Sequence, residues 1–499
     1  MARQLMFQGT GSSVGKSIMV AAICRILNNK GIGVAPFKSQ NMSLNAYITE
    51  DGKEMGRAQA VQAESARIKP SVQMNPILLK PTSDVGSQVI LNGIVYKNMA
   101  AGDYFSIKEM LIPEIKKAYD ELAQEYEAII IEGAGSPAEI NLRSRDVVNM
   151  GLAELVDTDV VLIGDVDKGG VFASLYGTFL LLSESERTRV KGFIINKFRG
   201  DVALLLPGVD ALEKLIDRPC LGIVPFIESL KVDDEDSVTE RFKYVDTKSI
   251  NIGVVKLPFL SNFTDFSVFD GESDIGLTYL HHPEEMNHMD MVIIPGSKNT
   301  LSDMKFLMDS NFSQAIYRAH RKGVPIIGIC GGYQMLGHWI EDQEQMESNL
   351  HKINGLGLLD VHTHMTTVKT TQQSEGCIQS EFFKSSVNGQ RIKGYEIHMG
   401  QTEFIGESLK PFILTDQGTF DGAVNETGNI MGTYFHGIFD NDSFRSGLLN
   451  QLRKQKGLAL SKGSVNTFET FKQSEYDRLA EHVEKHLDME KIMEIMGFI

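Results

Sequence analysis

The sequence has few cysteines, no long apolar run and fewer basic than acidic residues. Its four cysteines lie far apart and form no C-x-x-C pair, which argues against a zinc site or a disulfide framework and favours reduced, cytoplasmic thiols. No apolar run reaches the roughly 18 residues of a membrane span, and the first residues lack the apolar core of a signal peptide. A net charge of −16 argues against nucleic-acid binding, because no basic face dominates. We therefore expect a cytoplasmic protein that binds neither membranes nor nucleic acids.

Length and composition indicate a globular chain with more than one domain. The 499 residues exceed one ordinary domain, and the 42% hydrophobic and 23% charged fractions are typical of soluble globular proteins. Short apolar runs alternate with helical spacers, which predicts α/β domains, the first with a doubly wound parallel sheet. We predict a first α/β domain at 1–230, an acidic linker at 231–249, a second α/β domain at 250–445 and a helical C-terminal segment at 446–499.

A glycine-rich loop at residues 9–17 follows a short strand candidate and precedes a helix-type run. It ends in Gly-Lys-Ser, which in this setting predicts a P-loop that binds a nucleotide. Backbone N–H groups would cradle the phosphates, Lys16 would add a charge and Ser17 would ligate Mg²⁺. Thr10 stands where the regular pattern has a glycine, so the loop is a variant. The predicted nucleotide-binding residues of the loop are Gly11, Ser12, Ser13, Val14, Gly15, Lys16 and Ser17.

Two later strand candidates end in polar residues. Glu132 closes an apolar run, and an acid at the carboxyl end of a parallel strand near a P-loop is where a second Mg²⁺ ligand belongs. An exposed glutamate at a strand end is the alternative. Asn196 directly follows another apolar run, a position suited to reading the adenine edge. We therefore predict Ser17 and Glu132 as metal ligands and Asn196 as a nucleotide contact.

A second strand-to-helix turn holds Cys330. Gly328 and Gly332 flank this cysteine with the G-x-C-x-G spacing of a nucleophile elbow. Small residues are needed there because a side chain would collide with the backbone, and the helix N-terminus favours a thiolate. The Gly331 N–H would supply one donor of an oxyanion hole, and the loop around Gly296 would supply the second. A buried cysteine at an ordinary glycine turn is the alternative.

Two histidines at the ends of apolar runs are candidates for the base that a reactive thiol needs. His436 follows Gly432–Phe435 and precedes a glycine, which places an imidazole at a sheet edge. His398, within Gly394–Gly400, is the rival. For either residue, a structural histidine with satisfied hydrogen bonds is the alternative. We predict that His436 is the base.

Longer blocks in both halves contain these motifs. In the first half they are Gln8–Ser17, Pro36–Ser43, Glu132–Leu142 and Asn196–Asp201; in the second half they are Pro295–Thr300, the Cys330 elbow, Gly394–Gly400 and His436 with Gly437. Together they resemble the glutamine-dependent cobyric acid synthases of cobalamin biosynthesis, and the resemblance covers nearly the whole chain. The P-loop half alone is also similar to dethiobiotin synthetases and cobyrinic acid a,c-diamide synthases, so it specifies a class only.

The resemblance implies a two-site reaction. The second domain would be a class I, triad-type glutamine amidotransferase in which Cys330 attacks the glutamine amide and His436 assists. The P-loop domain would use ATP and Mg²⁺, held through Lys16, Ser17 and Glu132, to activate carboxylates of adenosylcobyrinic acid a,c-diamide. Ammonia would then convert the b, d, e and g carboxylates to amides. Both glutamine and the corrin are therefore expected partners.

Two departures from wider relatives bear on this hypothesis. Most glutaminases of the thiol class have a glutamate two residues after the histidine, where this chain has Ile438. Cys330 and His436 would then act as a dyad, or another acid would serve. Partition-type ATPases carry an extra lysine five residues before the P-loop lysine, where this chain has Gly11. That difference favours a one-chain synthase over a nucleotide-switched dimer.

Two other functions compete with this interpretation. A cobyrinic acid a,c-diamide synthase would amidate different carboxylates, and a non-catalytic nucleotide-switch protein would carry a dead second domain. The thiol at the elbow favours an enzyme, because a dead domain has no need of it. For the anionic acceptor we suggest Lys38, Arg57 and Lys80 as contacts.

Overall fold

The computed structural model describes residues 2–81, 86–143, 146–233, 247–406, 409–461 and 467–499. Their contacts divide the chain into two units. The first unit comprises Met1–Ser43, Glu54–Ser237 and Lys472–Ile499. The second unit comprises Leu44–Lys53 and Val238–Phe471.

The two units interleave along the sequence, unlike the domains we predicted. The segment Leu44–Lys53 belongs to the second unit although it lies inside the predicted first domain. The predicted C-terminal segment 446–499 is shared, because Lys472–Ile499 belongs to the first unit. The cause is apolar packing, since side chains such as Tyr476 and Leu479 lie in the core of the first unit. Most of the predicted linker, residues 234–246, lies outside the described residues.

The first unit is built on a parallel sheet. Its strands are almost continuous apolar runs, as expected for a sheet covered on both faces. Every pairing along the sheet is parallel, so successive strands are joined by crossovers. In spatial order the strands of the described chain are Cys220–Pro225, Val190–Phe198, Val160–Asp165, Arg3–Gly9, Ala128–Glu132 and Val34–Phe37. This doubly wound arrangement confirms the predicted fold of the first half.

Helices and a small second sheet complete the first unit. The helices span Lys16–Asn29, Arg57–Ser65, Ala101–Glu125, Met150–Leu155, Val171–Leu181, Glu184–Arg189, Leu206–Ile216 and Met489–Ile495, with short 3₁₀ turns at Val72–Met74 and Val202–Leu204. The small sheet contains Gln40–Met42, Ile77–Pro81, Gly86–Leu91 and Ile94–Ala100 in that order. A further short strand is Glu54–Gly56, and the helix Phe468–His486 runs across the boundary between the two units.

The second unit is organised around a larger mixed sheet. In spatial order its path is Ile275–Leu280, Ile250–Val255, Met291–Ile294, Ile326–Ile329, Ile430–Thr433, Phe420–Val424, Lys410–Thr415, Val361–Ile378, Trp339–Glu341 and Lys352–Asn354, and Arg391–Phe404 pairs with Val361–Ile378. The first five strands are parallel. Beyond Ile430–Thr433 the pairing is antiparallel, except that Trp339–Glu341 and Val361–Ile378 pair parallel. This unit has its own buried apolar core, as an independent domain needs.

The remaining elements of the second unit are short. They are helices at Thr300–Asp309, Phe312–Arg321, Gly331–Leu336 and Asp442–Gln455, 3₁₀ segments at Phe263–Gly271, Pro283–His288 and Ile438–Asp440, and the strand Ala46–Ile48. In the parallel part, the strands before Pro295, Cys330 and Tyr434 are neighbours in register. Their carboxyl ends therefore share one edge of the sheet, where ligands of α/β proteins bind.

A search of the described residues finds no helix long and apolar enough to cross a membrane.

Candidate active sites of the two units

Cys330 lies in a strained turn between a buried strand and a short helix. Its φ of 51° and ψ of −108° are unfavourable for a residue with a side chain, and it directly precedes the helix Gly331–Leu336. The Cys330 N–H donates to the carbonyl of Thr433 on the neighbouring strand at 2.8 Å. The cysteine is buried. Strain of this kind, fixed by a backbone hydrogen bond, is the geometry of a nucleophile elbow.

The glycines that flank the cysteine have a steric cause. A Cβ atom on Gly332 would lie 2.0 Å from the carbonyl oxygen of Ile294, and one on Gly328 would lie 2.6 Å from the carbonyl oxygen of Gly332. Backbone atoms cannot give way as the end of a flexible side chain can. The G-x-C-x-G spacing therefore follows from the close approach of helix and sheet.

His436 is fully buried and is held by a carboxylate that the sequence did not reveal. The Nδ1 atom of His436 lies 2.6 Å from Oδ2 of Asp265. The second carboxylate oxygen accepts the Gly437 N–H at 3.1 Å, which fixes the carboxylate beside the ring. Since Asp265 accepts from Nδ1–H, the Nε2 atom remains for the thiol. Asp265 thus takes the place of the glutamate that Ile438 replaces.

The electrostatics of His436 follow from these contacts. Burial alone lowers its pKa, but the Asp265 carboxylate and a hydrogen bond with the Cys330 thiol outweigh burial and raise the pKa above its ordinary value. The Sγ atom of Cys330 also lies 3.6 Å from the carbonyl oxygen of Ile397. The structure therefore brings together a thiol, an imidazole and a carboxylate, which is the set that nucleophilic acyl transfer needs.

The rival histidine is engaged elsewhere. The Nδ1 atom of His398 lies 2.8 Å from the carbonyl oxygen of Gly400, and Nε2 lies 3.3 Å from Oε2 of Glu396. Its ring stacks on Tyr434, with a centroid distance of 3.8 Å. His398 therefore fits the structural interpretation that we gave as its alternative.

Gly331 and Ser297 meet where an oxyanion hole is expected. A Cβ atom on Gly331 would lie 2.9 Å from the backbone nitrogen of Ser297. A Cβ atom on Gly296 would instead lie 3.1 Å from Cε1 of His436. The amide nitrogen of Ser297, in the same loop, is therefore a candidate donor beside Gly296, which stays a prediction.

Asp265 and Asn262 are the residues of this site that sequence reasoning missed. Asn262 has a left-handed backbone, and its Nδ2 atom lies 3.3 Å from Nε2 of His436. Asp265 lies in an aromatic stretch, Phe263–Gly271, where a buried acid is unusual, and Asn262 directly precedes that stretch. The contrast between this acid and its apolar neighbours is a signal that our sequence reasoning did not use.

In the first unit the predicted P-loop leads into the helix Lys16–Asn29. Gly15 adopts a φ of 92° directly before this helix, a conformation that favours glycine. The Lys16 ammonium donates to the carbonyl of Gly11 at 2.9 Å and to that of Gly135 at 3.3 Å. The lysine is thus folded over its own loop, where it can meet a phosphate.

The second predicted metal ligand, Glu132, lies beside the first. Ser17 Oγ donates to Glu132 Oε1 at 2.8 Å, and Gln62 donates to the other carboxylate oxygen. Lys38 Nζ lies 2.7 Å from Oε1. Burial raises the pKa of Glu132, but Lys38 and these hydrogen bonds outweigh burial and hold the pKa below its ordinary value. A hydroxyl and an ionised carboxylate in contact form a suitable donor set for Mg²⁺.

The Asn196 side chain contacts the P-loop backbone, and its contact with a nucleotide stays a prediction. Its Nδ2 atom donates to the Val14 carbonyl at 2.9 Å, and a Cβ atom on Gly15 would lie 2.3 Å from the same Nδ2. The side chain therefore closes on the P-loop backbone and does not present this amide donor to a base edge.

The three cations suggested for the acceptor all have acidic partners. Lys38 pairs with Glu132, as described above, and Lys80 Nζ lies 2.5 Å from Oε1 of Glu54. Arg57 lies 3.3 Å from carboxylate oxygens of both Glu64 and Asp233. Of the three, Lys38 is therefore the one that the structure brings to the P-loop residues.

Two family models match consecutive regions of the chain. Residues 5–238 match the CobQ/CobB/MinD/ParA nucleotide binding domain, and residues 251–444 match the CobB/CobQ-like glutamine amidotransferase domain. The protein is therefore a nucleotide-binding domain joined to a glutamine amidotransferase domain, as predicted.

Relatives that match over the whole chain define the family. The cobyric acid synthase of Thermoanaerobacter sp. (strain X514) is 49% identical over 504 residues and covers 99% of both chains. That of Clostridium acetobutylicum is 50% identical over 496 residues, again with 99% of both chains covered. The chain belongs to the cobyric acid synthase family, and it is an amidating ligase that uses a glutamine amidotransferase domain. This result confirms the resemblance drawn from the sequence.

Solved structures match only parts of the chain. PurLQS from Thermotoga maritima is 15% identical with a TM-score of 0.31, and the match covers 42% of this chain and 97% of that one. The signal recognition particle receptor FtsY from Elizabethkingia anophelis is 14% identical with a TM-score of 0.28 and covers 45% and 57%. The family assignment therefore rests on the sequence relatives.

Proposed function

We propose that the protein amidates the b, d, e and g carboxylates of adenosylcobyrinic acid a,c-diamide to give adenosylcobyric acid, using ATP and ammonia released from glutamine at Cys330. The observation that carries this proposal is the strained elbow at Cys330 with His436 and Asp265 beside it. A nucleotide-switch protein has no use for a thiol held at a cost in backbone strain, so the geometry favours the enzyme.

The first step is attack of the thiol on the side-chain amide of glutamine. The Cys330 sulfur forms a bond to the amide carbon, and His436 takes the thiol proton and delivers it to the departing nitrogen, which leaves as ammonia. Water then attacks the γ-glutamyl thioester with His436 as the base, and glutamate leaves. The N–H groups of Gly331 and Ser297 are our candidates for stabilising the oxyanion.

Asp265 acts through the imidazole and not on the substrate. Its carboxylate fixes the ring with Nδ1–H toward itself, so that Nε2 faces the thiol. It also stabilises the imidazolium that forms when the thiol proton is transferred, consistent with the raised pKa of His436. The arrangement is a thiol counterpart of a nucleophile–histidine–acid triad, with the acid drawn from a distant part of the sequence.

The residues of the P-loop fit MgATP. Lys16 already contacts two backbone carbonyls of the loop region, and Ser17 touches the ionised Glu132, so a cation and a hydroxyl–carboxylate pair lie side by side. Ser17 and Glu132 would hold Mg²⁺, and Lys16 would contact the phosphates. When bound, MgATP supplies the phosphoryl group that activates a carboxylate for attack by ammonia. Lys38, which lies against Glu132, is our first candidate for contact with the acceptor carboxylate.

The glutaminase half is tested with Cys330→Ala. We expect loss of glutamine-driven synthesis and of glutamate release, with ammonia-driven synthesis retained, since the P-loop residues are unchanged. Cys377→Ala, at a partly exposed cysteine of the same unit, is the matched control and should behave as the wild type. Unchanged use of glutamine by Cys330→Ala would sink the assignment.

The acceptor is tested by mass spectrometry of the products. Wild-type enzyme supplied with adenosylcobyrinic acid a,c-diamide, ATP, Mg²⁺ and glutamine should give four successive amidations. A product made from cobyrinic acid that stops after two amidations would instead identify a cobyrinic acid a,c-diamide synthase.

A further inference from the structure

A short segment from the first half of the sequence is part of the second unit. Leu44–Lys53 is flanked by Ser43 and Glu54, which both belong to the first unit. Its strand Ala46–Ile48 packs against the long strands Val361–Ile378 and Arg391–Phe404, and the Ile48 carbonyl accepts a hydrogen bond from Gln373. The segment is therefore anchored on the unit that carries Cys330.

The same segment is hydrogen-bonded to the stretch that contains Asp265. The Ala46 N–H donates to Oδ1 of Asn262 at 3.1 Å, and the Phe263 N–H donates to Oδ1 of Asn45 at 3.0 Å. All four groups are buried, so neither bond is weakened by competing water. These two bonds run in opposite directions and fix the backbone just before Asp265.

Asn262 carries the contact onward to the imidazole. Because its Oδ1 accepts from Ala46, its Nδ2 points the other way, and it lies 3.3 Å from Nε2 and 3.5 Å from Nδ1 of His436. The backbone of Ala46 thus decides which end of the amide faces His436. Without that bond, the two orientations of the amide would be closer in energy.

A second contact reaches the other side of the histidine. The ring of Tyr395 stacks on that of His436, with a centroid distance of 5.1 Å and an interplanar angle of 18°. Its hydroxyl donates to the Ala46 carbonyl at 3.5 Å, and its ring lies 6.5 Å from that of Tyr47. Asn262 and Tyr395 are therefore both tied to one residue of the segment.

We propose that Asn45 and Ala46 of this segment, acting through Asn262, position His436 for its reaction with Cys330. The proposal rests on the proposed glutaminase activity and adds that part of its machinery comes from the first half of the sequence. Asn262 is a positioning residue, since it acts through the imidazole of His436. A misplaced base slows the chemical step more than it weakens substrate binding. Small displacements of a catalytic group lower the rate of that step by about 100-fold.

The test uses the full-length chain and four variants. Asn262→Gly removes the amide but accepts the left-handed backbone, and Asn311→Gly is its matched control, because Asn311 is exposed and has a similar φ of 64°. Asn45→Ala removes the acceptor for Phe263 N–H, whereas Asn45→Asp keeps a carboxylate oxygen in that place. For each we measure kcat and KM of glutamine hydrolysis across pH, together with ammonia-driven synthesis.

We expect Asn262→Gly to lower kcat for glutamine hydrolysis by about 10- to 100-fold with little change in KM. Its pH profile should change shape, because the surroundings of the imidazole change. Asn45→Ala should show a smaller fall in kcat that Asn45→Asp restores, and Asn311→Gly should match the wild type. Ammonia-driven synthesis should be retained in all four, since none alters the P-loop.

Each other result has a distinct meaning. If Asn262→Gly and Asn45→Ala keep kcat within about twofold while Cys330→Ala abolishes hydrolysis, the positioning role is wrong and the proposed function stands. If ammonia-driven synthesis falls together with hydrolysis and the chain unfolds at a lower temperature, these residues serve the fold in general and the positioning role is again wrong. If the wild type shows no hydrolysis that depends on Cys330, the proposed function itself fails.

Discussion

The two units both bury carboxylates but pair them with different groups. In the first unit, Glu132 pairs with Lys38, and Glu64 pairs with Lys472 and Arg57. Burial raises the pKa of Glu64, but these cations outweigh it and lower the pKa to about 2. Buried acids of the first unit are therefore kept ionised by lysine and arginine.

The second unit holds its buried acids mainly with hydroxyl and amide donors. Asp303 accepts from Ser297 Oγ at 2.6 Å and from Phe259 N–H at 3.1 Å, and Asp421 accepts from Thr433 and from Tyr434 N–H. Burial raises the pKa of Asp303 to about 6 and that of Asp421 to about 7.

The difference matches what each unit has to do. A site for anionic ligands needs lysine or arginine side chains that can leave a carboxylate and pair with a phosphate. The ion pairs of the first unit contain such side chains. A site for a neutral amide needs loops held rigidly around a thiol, and acids that accept several hydrogen bonds hold the loops of Ser297 and Tyr434. Asp265 and Glu396 differ from these acids in that each pairs with an imidazole, of His436 and His398 respectively.

The largest effect is expected for Asp265→Asn in the second unit. An amide keeps the shape but favours the wrong tautomer of His436, so we expect kcat for glutamine hydrolysis to fall by about 10⁴-fold. Asp265 raises the pKa of His436, so removal of this carboxylate should lower that pKa. The alkaline limb of the pH–rate profile should then move to lower pH, because His436 must carry a proton to deliver it to the departing nitrogen. Steady-state kinetics across pH provide the check, with Asp309→Asn, at an exposed acid, as the control. Wild-type kinetics in Asp265→Asn would leave a Cys330–His436 dyad.

The corresponding change in the first unit is Lys16→Met. We expect synthesis to fall by about 1,000-fold or more with either glutamine or ammonia, because a charge that stabilises the phosphoryl group is lost. Glutamate release, which depends on the second unit, should persist. Parallel assays of glutamate, ADP and amidated corrin distinguish the two reactions. Loss of glutamate release as well would show that the thiol site depends on nucleotide.

Gly332→Ala tests the steric basis of the elbow. Its Cβ would lie 2.0 Å from the Ile294 carbonyl oxygen, so we expect a loss of at least about 3 kcal/mol in the free energy of unfolding. Gly177→Ala, on an open helix position with nothing within 4 Å, should be neutral or slightly stabilising. Chemical denaturation monitors both, and equal stabilities would show that the elbow relaxes easily.

Asn196→Ala tests whether this side chain holds the P-loop. Loss of its hydrogen bond to the Val14 carbonyl should raise KM for ATP by about tenfold, the equivalent of one hydrogen bond. The preference for ATP over GTP should not change, because the amide donor faces the loop and not a base. A lost preference with unchanged KM would instead support the prediction that Asn196 reads the adenine edge.

The smallest expected effect is on the pH dependence of stability. The pKa of Asp421 is about 7 in the folded state, above its ordinary value of 3.8. Between these two pH values the folded state holds a proton on Asp421 that the unfolded state has lost. The free energy of unfolding therefore falls as pH rises from about 4 to about 7. Glu64, whose pKa is lowered from 4.5 to about 2, acts in the opposite sense, and its stabilising effect is lost only as pH falls from about 4.5 to about 2. Asp421→Asn should flatten the decline between pH 5 and 7 in denaturant titrations, whereas Glu64→Gln should leave it unchanged. A steeper decline in Asp421→Asn would contradict the assignment.

The sequence predicted those parts of the sites that depend on local spacing. The P-loop, the Cys330 elbow and the place of His436 at a strand end all follow from residues that are neighbours in the chain. Asp265 could not be found in this way, because it meets His436 across 171 positions and no spacing rule connects them. The contact of the Asn196 side chain with the Val14 carbonyl could not be predicted either, because the two residues are 182 positions apart.

The fold was predictable at the level of the sheets and not at that of the unit boundaries. Apolar runs showed the parallel strands, since buried strands carry that pattern. No pattern shows that Leu44–Lys53 packs with the second unit, because its contacts are single hydrogen bonds to residues far along the chain, such as Asn262 and Gln373.

The interleaved order of the two units along the sequence limits how the chain can be divided into fragments. A cut between residues 237 and 247 would separate the two regions that match known domain families, yet neither fragment would contain a whole unit. The C-terminal fragment would lack Asn45 and Ala46, and the N-terminal fragment would lack Lys472–Ile499. The two activities are thus inseparable by simple truncation, and recombination that exchanges one half for that of a relative must also keep Asn45 and Ala46 compatible with Asn262.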